Sequence, residues 1–347
     1  MSGILTAIFY LLVMVIVFGI LVFIHEFGHF FTARRCGVSI KEFAVGMGPT
    51  VFSWKSKKYE TKYALRLFPI GGFVSMVGED EASDDEGAFC NKKVWQRFLI
   101  TIAGPAMNIL LGFLLMLVVV LNQPIASTTI AGFDENAVSN AQLQVDDKIL
   151  YVDGVPVKSG TEAVYEIMNK GYEPIDITVE RAGSKIELIG VTFATFEEQG
   201  VIFGEVDFKV YPQERTFFTL ISQTFTRSLS TVKMVIDSLV GLLSGRFGMD
   251  AISGPIGVAE VVGEAAKTDW LQLLYIVTVL TINLGVFNLI PFPALDGGRT
   301  LFLIIEGIRR KPLNRNVETY INLAGMVILF AFMIFVSFKD VMKLIFS

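Results

Sequence analysis

The chain has 347 residues, of which 52% are hydrophobic and only 18% charged, with a formal net charge of −5 and a mean hydropathy of +0.57. A soluble globular chain carries about 25% charged residues, so a wholly water-soluble protein is excluded. The acidic balance gives no reason to expect a nucleic-acid partner.

The charge deficit is concentrated in four uncharged stretches, residues 3–24, 98–121, 271–295 and 319–338. Each has the length of about 20 apolar residues that a helix needs to cross the hydrocarbon core. The expected fold class is a polytopic α-helical membrane protein with four transmembrane helices and both termini on one side. The first stretch has no basic segment before it, is too long for a signal core and runs directly into His25-Glu26, so it is read as a span and not as a cleaved leader.

Segment 34–97 carries eleven Lys/Arg and the short loop 299–315 carries five. Segment 123–269 has eleven against twenty-one Asp/Glu, but a long domain translocates largely regardless of charge. The basic loops are therefore expected in the cytoplasm, with the termini and the acidic domain outside. Cys36 and Cys90 both fall in the cytoplasmic segment, where a structural disulfide is not expected.

In chain order, residues 1–122 hold the first two spans and a Gly-rich connector. Within that connector, residues 61–67 alternate like a strand, and 68–77 are apolar but interrupted by Pro69, Gly71 and Gly72. Backbone of that kind sits at membrane depth only where protein or water satisfies its amides. Residues 123–212 read as a small β-rich domain, with strands at 148–152 and 175–180 and a helix over 161–169 capped by Thr161. Residues 213–269 form a linker whose 216–245 stretch is amphipathic and expected to lie along the membrane surface. Residues 270–347 hold the last two spans.

The chemistry starts in the first span. His25-Glu26-Phe27-Gly28-His29 places two imidazoles four residues apart on one helix face. That spacing suits two ligands of one tetrahedral zinc, with Glu26 beside them to act on water. At about 1.5 Å per residue, His29 lies about 8 Å and His25 about 14 Å inside Arg34. Glu26 is then an ionisable group within the membrane, which marks function. These are the chain's only two histidines, so the third ligand is expected to be a carboxylate. Asp296 abuts the third span and lies three residues before Arg299, at a similar depth. Two histidines, one carboxylate and a position for water make an open catalytic zinc site.

The histidine motif, the Leu295-Asp296-Gly297 segment and the intervening acidic domain resemble the site-2 protease family, and within it the RseP-type bacterial intramembrane zinc metalloproteases. Similar pieces are Val45-Gly46-Met47-Gly48-Pro49, Pro69-Ile70-Gly71-Gly72-Phe73, Ala103-Gly104-Pro105-Ala106-Met107-Asn108 and Ser253-Gly254-Pro255-Ile256-Gly257. The resemblance implies zinc bound by His25, His29 and Asp296, with Glu26 as the catalytic general base. It implies substrate contacts from Asn283, Asn288, Pro291, Pro293, Gly71 and Gly72, with segment 62–77 a membrane-reentrant β element. Residues 137–154 resemble part of a PDZ domain, with Gln142 and Asp146 where glycines are usual. The implied function is endoproteolysis of single-span membrane proteins, anti-sigma-factor-like or signal-peptide remnants, after an upstream site-1 protease. The implied location is a bacterial cytoplasmic (inner) membrane with the site near the cytoplasmic face. A catalytically silent scaffold that holds partners through the PDZ-like domain is disfavoured by the intact His25, Glu26, His29 and Asp296.

Overall fold

A computed structural model describes residues 3–346 apart from positions 80, 82, 199 and 249–251. Four of its helices are long and apolar enough to cross a membrane, over Leu5–Arg35, Val94–Asn122, Trp270–Leu289 and Asn316–Lys343. The chain divides into two compact units, one made of Met1–Gly112 and Ser253–Ser347, the other of Phe113–Ile252.

The first unit begins with α1 (Gly3–Arg35), whose last turn is basic at Arg34 and Arg35. Gly37 ends it at φ +71°, with Gly37 N–H bonded to Arg34 O and Val38 N–H to Ala33 O. This is a Schellman stop, which needs a left-handed residue. Strands β1 (Ile40–Lys55) and β2 (Lys62–Met76) follow as an antiparallel pair. Residues 42–45 pair on one side with 62–65 and on the other with 72–75, while 52–55 also pair with 62–65. Two bent strands thus give a four-rung sheet in which the 72–75 segment forms an edge. The interrupted run 68–77 lies, up to Met76, in one kinked strand, bent where Gly71 takes φ +82°.

Helix α2 (Val94–Asn122) starts in this unit, and α6 (Trp270–Leu289) packs on it. A Cβ on Gly112 would lie 2.3 Å from Ile282, and one on Gly285 2.8 Å from the Pro105 carbonyl. Small residues let the two backbones approach, which is how helices associate in lipid. The third span ends at Leu289, six residues short of the uncharged stretch, because Pro291 and Pro293 cannot continue a helix. The chain restarts as α7 (Asp296–Arg309) and closes with α8 (Arg315–Phe346). Within the same unit, α5 (Pro255–Thr268) packs on α1 through Val262 against Val17 and Leu21. Its N-terminus is capped from α8: Asp340 accepts from Gly254 N–H and Gly257 N–H, each at 3.1 Å. A side chain on Gly254 would fall 2.7 Å from that carboxylate, which accounts for the Ser253-Gly254-Pro255-Ile256-Gly257 motif.

The second unit holds a sheet of β10 (Phe208–Pro212), β3 (Ala126–Phe133), β4 (Lys148–Val152), β6 (Ile175–Arg181) and β7 (Ser184–Val191), in that spatial order. A short β5 (Val155–Pro156) pairs with β4, and β8 (Ala194–Glu198) with β9 (Val201–Glu205) makes a separate hairpin. Helix α3 (Gly160–Lys170) covers a core that includes Ile130, Ile149, Ile167, Ile177 and Val179. Its cap is Ser159, whose hydroxyl accepts from Glu162 N–H, and not Thr161 as expected from sequence. Asp147, fully buried, is held by Arg181 through two contacts of 2.6 Å. Helix α4 (Phe217–Leu243) buries polar residues such as Gln223, Thr224, Ser228 and Thr231, and exposes Phe218, Phe225, Leu229 and Val240.

Candidate metal centre

His25 and His29 stand on consecutive turns of α1, 8% and 9% exposed. Their Nε2 atoms are 3.2 Å apart, and Asp296 Oδ2 lies 3.0 Å from the first and 3.3 Å from the second. Three ligand atoms on one tetrahedral ion, each about 2.0–2.1 Å from the metal, are separated by about 3.3 Å. The donor set and its spacing therefore fit zinc, and among the described residues this is the one such His/Cys/Asp/Glu cluster. Glu26 lies on the adjacent face, within reach of the Val74 amide on the edge strand. His25, Glu26, His29 and Asp296 line a common cavity of about 320 Å³ together with Val74 and Asn288.

The ring orientations come from α2. Ile100, Gly104 and Asn108 recur every four residues and so form one stripe of that helix. His29 Nδ1 donates to the Ile100 carbonyl at 2.8 Å. A carbonyl only accepts, so the proton stays on Nδ1 and Nε2 presents its lone pair to the centre. Gly104 sits directly under His29, where a Cβ would lie 2.2 Å from Nε2. Asn108 is fully buried and its amide lies 3.3 Å from His25 Nδ1, with Oδ1 buried and unpartnered. The two ends of an amide are interchangeable by a half-turn. With Oδ1 toward the ring, Asn108 accepts from His25 Nδ1–H and gives His25 the same tautomer as His29.

Asp296 is delivered by a tight reversal. Gly297 and Gly298 press on the carbonyls of Ile290 and Phe292, where added Cβ atoms would fall 2.1 and 2.3 Å away. Ala294 takes a left-handed φ of +72°, with its N–H on Asn322 of α8. Two ion pairs then fix α7: Arg299 to Glu79 at 2.5 Å, and Arg97 to Glu306 through two contacts of 3.1 and 2.6 Å.

The model of peptidase family M50 matches residues 13–332. The chain belongs to peptidase family M50. Among its relatives, a Fusobacterium nucleatum protein bearing a zinc-metalloprotease name is 35% identical, over 96% of this chain and 98% of the relative. The regulator of sigma-W protease RasP of Bacillus subtilis is 29% identical over 95% and 97%. The zinc metalloprotease RasP of Geobacillus kaustophilus is 31% identical over 95% and 97%. This M50 chain is a membrane metalloprotease with zinc as its cofactor.

The remaining residues expected at the M50 site lie at different distances from it. Asn288 lines the cavity, its amide donating to Leu284 O in its own helix. Asn283 is outside that lining, with Oδ1 buried and unpartnered. Pro293 packs on Gly325 of α8, and Pro291 is exposed in the reversal. Gly72 stands beside Glu26, where a Cβ would meet its Cγ at 3.3 Å; Gly71 faces Met47 instead. Asn108 belongs to a motif that the sequence offers without a role for it, and Ile100 has no mark in the sequence. The signal for Asn108 was a buried polar residue in an otherwise apolar span. Ile100 acts through its backbone and leaves no side-chain signal.

Proposed function

We propose that this M50 chain is an intramembrane endopeptidase that cuts transmembrane segments of single-span proteins, of the anti-sigma-factor or signal-peptide-remnant kind. The observation that carries the reading is the convergence of His25, His29 and Asp296 inside the apolar length of α1. In this reading those three residues hold zinc and Glu26 is the general base. A zinc ion held there would polarise a carbonyl and make water acidic enough to lose a proton near neutral pH. Glu26 takes that proton and passes it to the leaving amine.

A transmembrane helix hides its amides in internal hydrogen bonds, so it must open before it is cut. The 72–75 edge beside Glu26 offers replacement partners to an extended substrate by strand addition. Its position along α1 supports a membrane-reentrant role for the sheet. Asn288, in the cavity, is placed to hold a freed carbonyl. Asn283, Pro291, Pro293 and Gly71 contribute through the shape of the substrate path.

The second unit is proposed to be a PDZ-like domain. The two departures from the PDZ pattern have local reasons that support this. Asp146 occupies a left-handed position (φ +70°) that a glycine would fill more readily, while Gln142 at φ −127° stands where no glycine is required. Its proposed role is to admit only substrates whose outer part an upstream site-1 protease has already shortened. The basic connectors at 34–97 and 299–315 support a bacterial cytoplasmic-membrane location with this domain and the termini outside.

The test uses the full chain purified in detergent, with bound zinc and cleavage of a single-span substrate as readouts. Glu26→Gln is expected to keep zinc and lose about 10²–10⁴ in rate; unchanged cleavage would remove Glu26 from the mechanism. Asp296→Ala is expected to lower zinc occupancy, and full occupancy would remove that ligand.

A further inference from the structure

The β1–β2 sheet lies along α1 with a direction. At one end Gly72 stands beside Val22 and Glu26, and the Phe43 ring packs on Phe23 at 5.9 Å and Phe30 at 4.9 Å. At the other end Arg34 donates to Tyr63 Oη at 3.1 Å and Thr61 Oγ1 at 3.0 Å, and its guanidinium covers the Tyr59 ring at 4.1 Å. From Val22 to Arg34 is about 18 Å of helix rise, so the sheet runs from inside the hydrocarbon layer to its border.

Side-chain chemistry changes in step with that direction. The bends near Val22 carry exposed Met47, Val51, Leu67 and Phe68. Nearer the border, Trp54 stacks on Tyr63 with ring centroids 5.1 Å apart. The border itself holds the 55–62 turn, which has four lysines and one glutamate. Lys62 pairs with Glu42 at 3.5 Å and Lys55 only loosely with Glu60 at 3.9 Å. No described carboxylate lies within ion-pair distance of Lys57 or Lys58. Apolar, aromatic, then basic is the order in which a bilayer presents hydrocarbon, interface and anionic headgroups.

We propose that the 55–62 turn is a binding surface for anionic phospholipid headgroups, contacted by Lys55, Lys57 and Lys58, with Trp54 and Tyr59 at the interfacial level. A lipid is the partner that fits because the turn lies beside Arg34, where α1 leaves the apolar layer and headgroup charge is continuous around the protein. Bound headgroups would hold the hairpin, and hence the 72–75 edge, at a fixed depth. The inference requires membrane insertion and is independent of the catalytic assignments.

The experiment makes Trp54 the sole tryptophan through Trp95→Phe and Trp270→Phe, and reconstitutes the full chain in phosphatidylcholine vesicles. A fixed fraction of lipid is replaced by brominated phosphatidylcholine or by brominated phosphatidylglycerol, and Trp54 quenching is measured. Brominated phosphatidylglycerol is expected to quench more strongly, with an association constant at least about twofold higher. Lys55→Ser, Lys57→Ser and Lys58→Ser together, or high salt, are expected to bring the ratio to one. Equal quenching by the two lipids at low salt overturns the proposal. So does a preference that survives the lysine replacements, or absence of quenching by both. Unchanged zinc content in the triple variant confirms that it is folded.

Discussion

The two units hold their polar groups for opposite ends. In the second unit the buried charge of Asp147 is matched by Arg181 inside one domain, and removal of either partner is a matter of that domain's stability. In the first unit several polar groups serve a single place: Asn108 and the Ile100 carbonyl orient the histidines, while Glu79–Arg299 and Arg97–Glu306 fix the helix that presents Asp296. Lipid gives no hydrophobic drive for helices to associate, so glycine contacts set the spacing there. The first unit is thus expected to fail at the metal before it fails as a fold, and the second unit the reverse.

Gly104→Ala should break this contrast most sharply. The new Cβ would occupy the space of His29 Nε2, and zinc affinity is expected to fall by more than about a thousandfold, about 4 kcal/mol, with the helices still inserted. Competition with a chromophoric chelator measures it; near-normal affinity would show that the His29 ring is free to move. Arg181→Ala should act on the other side. Loss of the partner of buried Asp147 is expected to cost about 3 kcal/mol of second-unit stability, read as increased proteolysis within 126–212, with zinc content unchanged. A fall in zinc would break the separation.

Asn108→Leu removes the only acceptor placed at His25 Nδ1 among the described residues. A second partner of this kind is worth about 10–100-fold in metal affinity, and Asn108→Asp, which keeps an acceptor, is expected to restore most of it. No change with Leu would reduce Asn108 to a packing residue. Smallest is Asp146→Gly, which relieves a left-handed aspartate and should stabilise the second unit by about 1 kcal/mol or less. A loss of stability there would mean that the Asp146 side chain, which accepts from Tyr211 Oη at 3.2 Å, matters more than its backbone.

Local patterns were readable in the sequence wherever one segment carried the whole signal. The two histidines lie one turn apart on a single helix face, the apolar lengths stand out by composition, and the absence of a third histidine left a carboxylate to seek. What could not be read depended on another segment. The third span's end was misplaced because the apolar run continues to Leu295 while Pro291 and Pro293 stop the helix sooner. The helix cap lies two residues earlier than Thr161, since Ser159 and Thr161 are both capping residue types and only the backbone decides between them. The doubled pairing of residues 42–45 follows from glycine bends whose direction a pattern of alternation does not encode. Asn108 meets His25 across a sequence separation of 83 residues, and nothing near Asn108 announces that distance.

The cap on α5 bears on the timing of synthesis. Gly254 and Gly257 receive their acceptor from Asp340, 86 and 83 residues downstream. While a ribosome is still making the chain, α5 therefore lacks this partner for its amides until α8 has been made. Asp296 likewise follows both histidines by more than 250 positions. A nascent copy would lack the third member of the His25, His29 and Asp296 cluster until synthesis had passed Asp296.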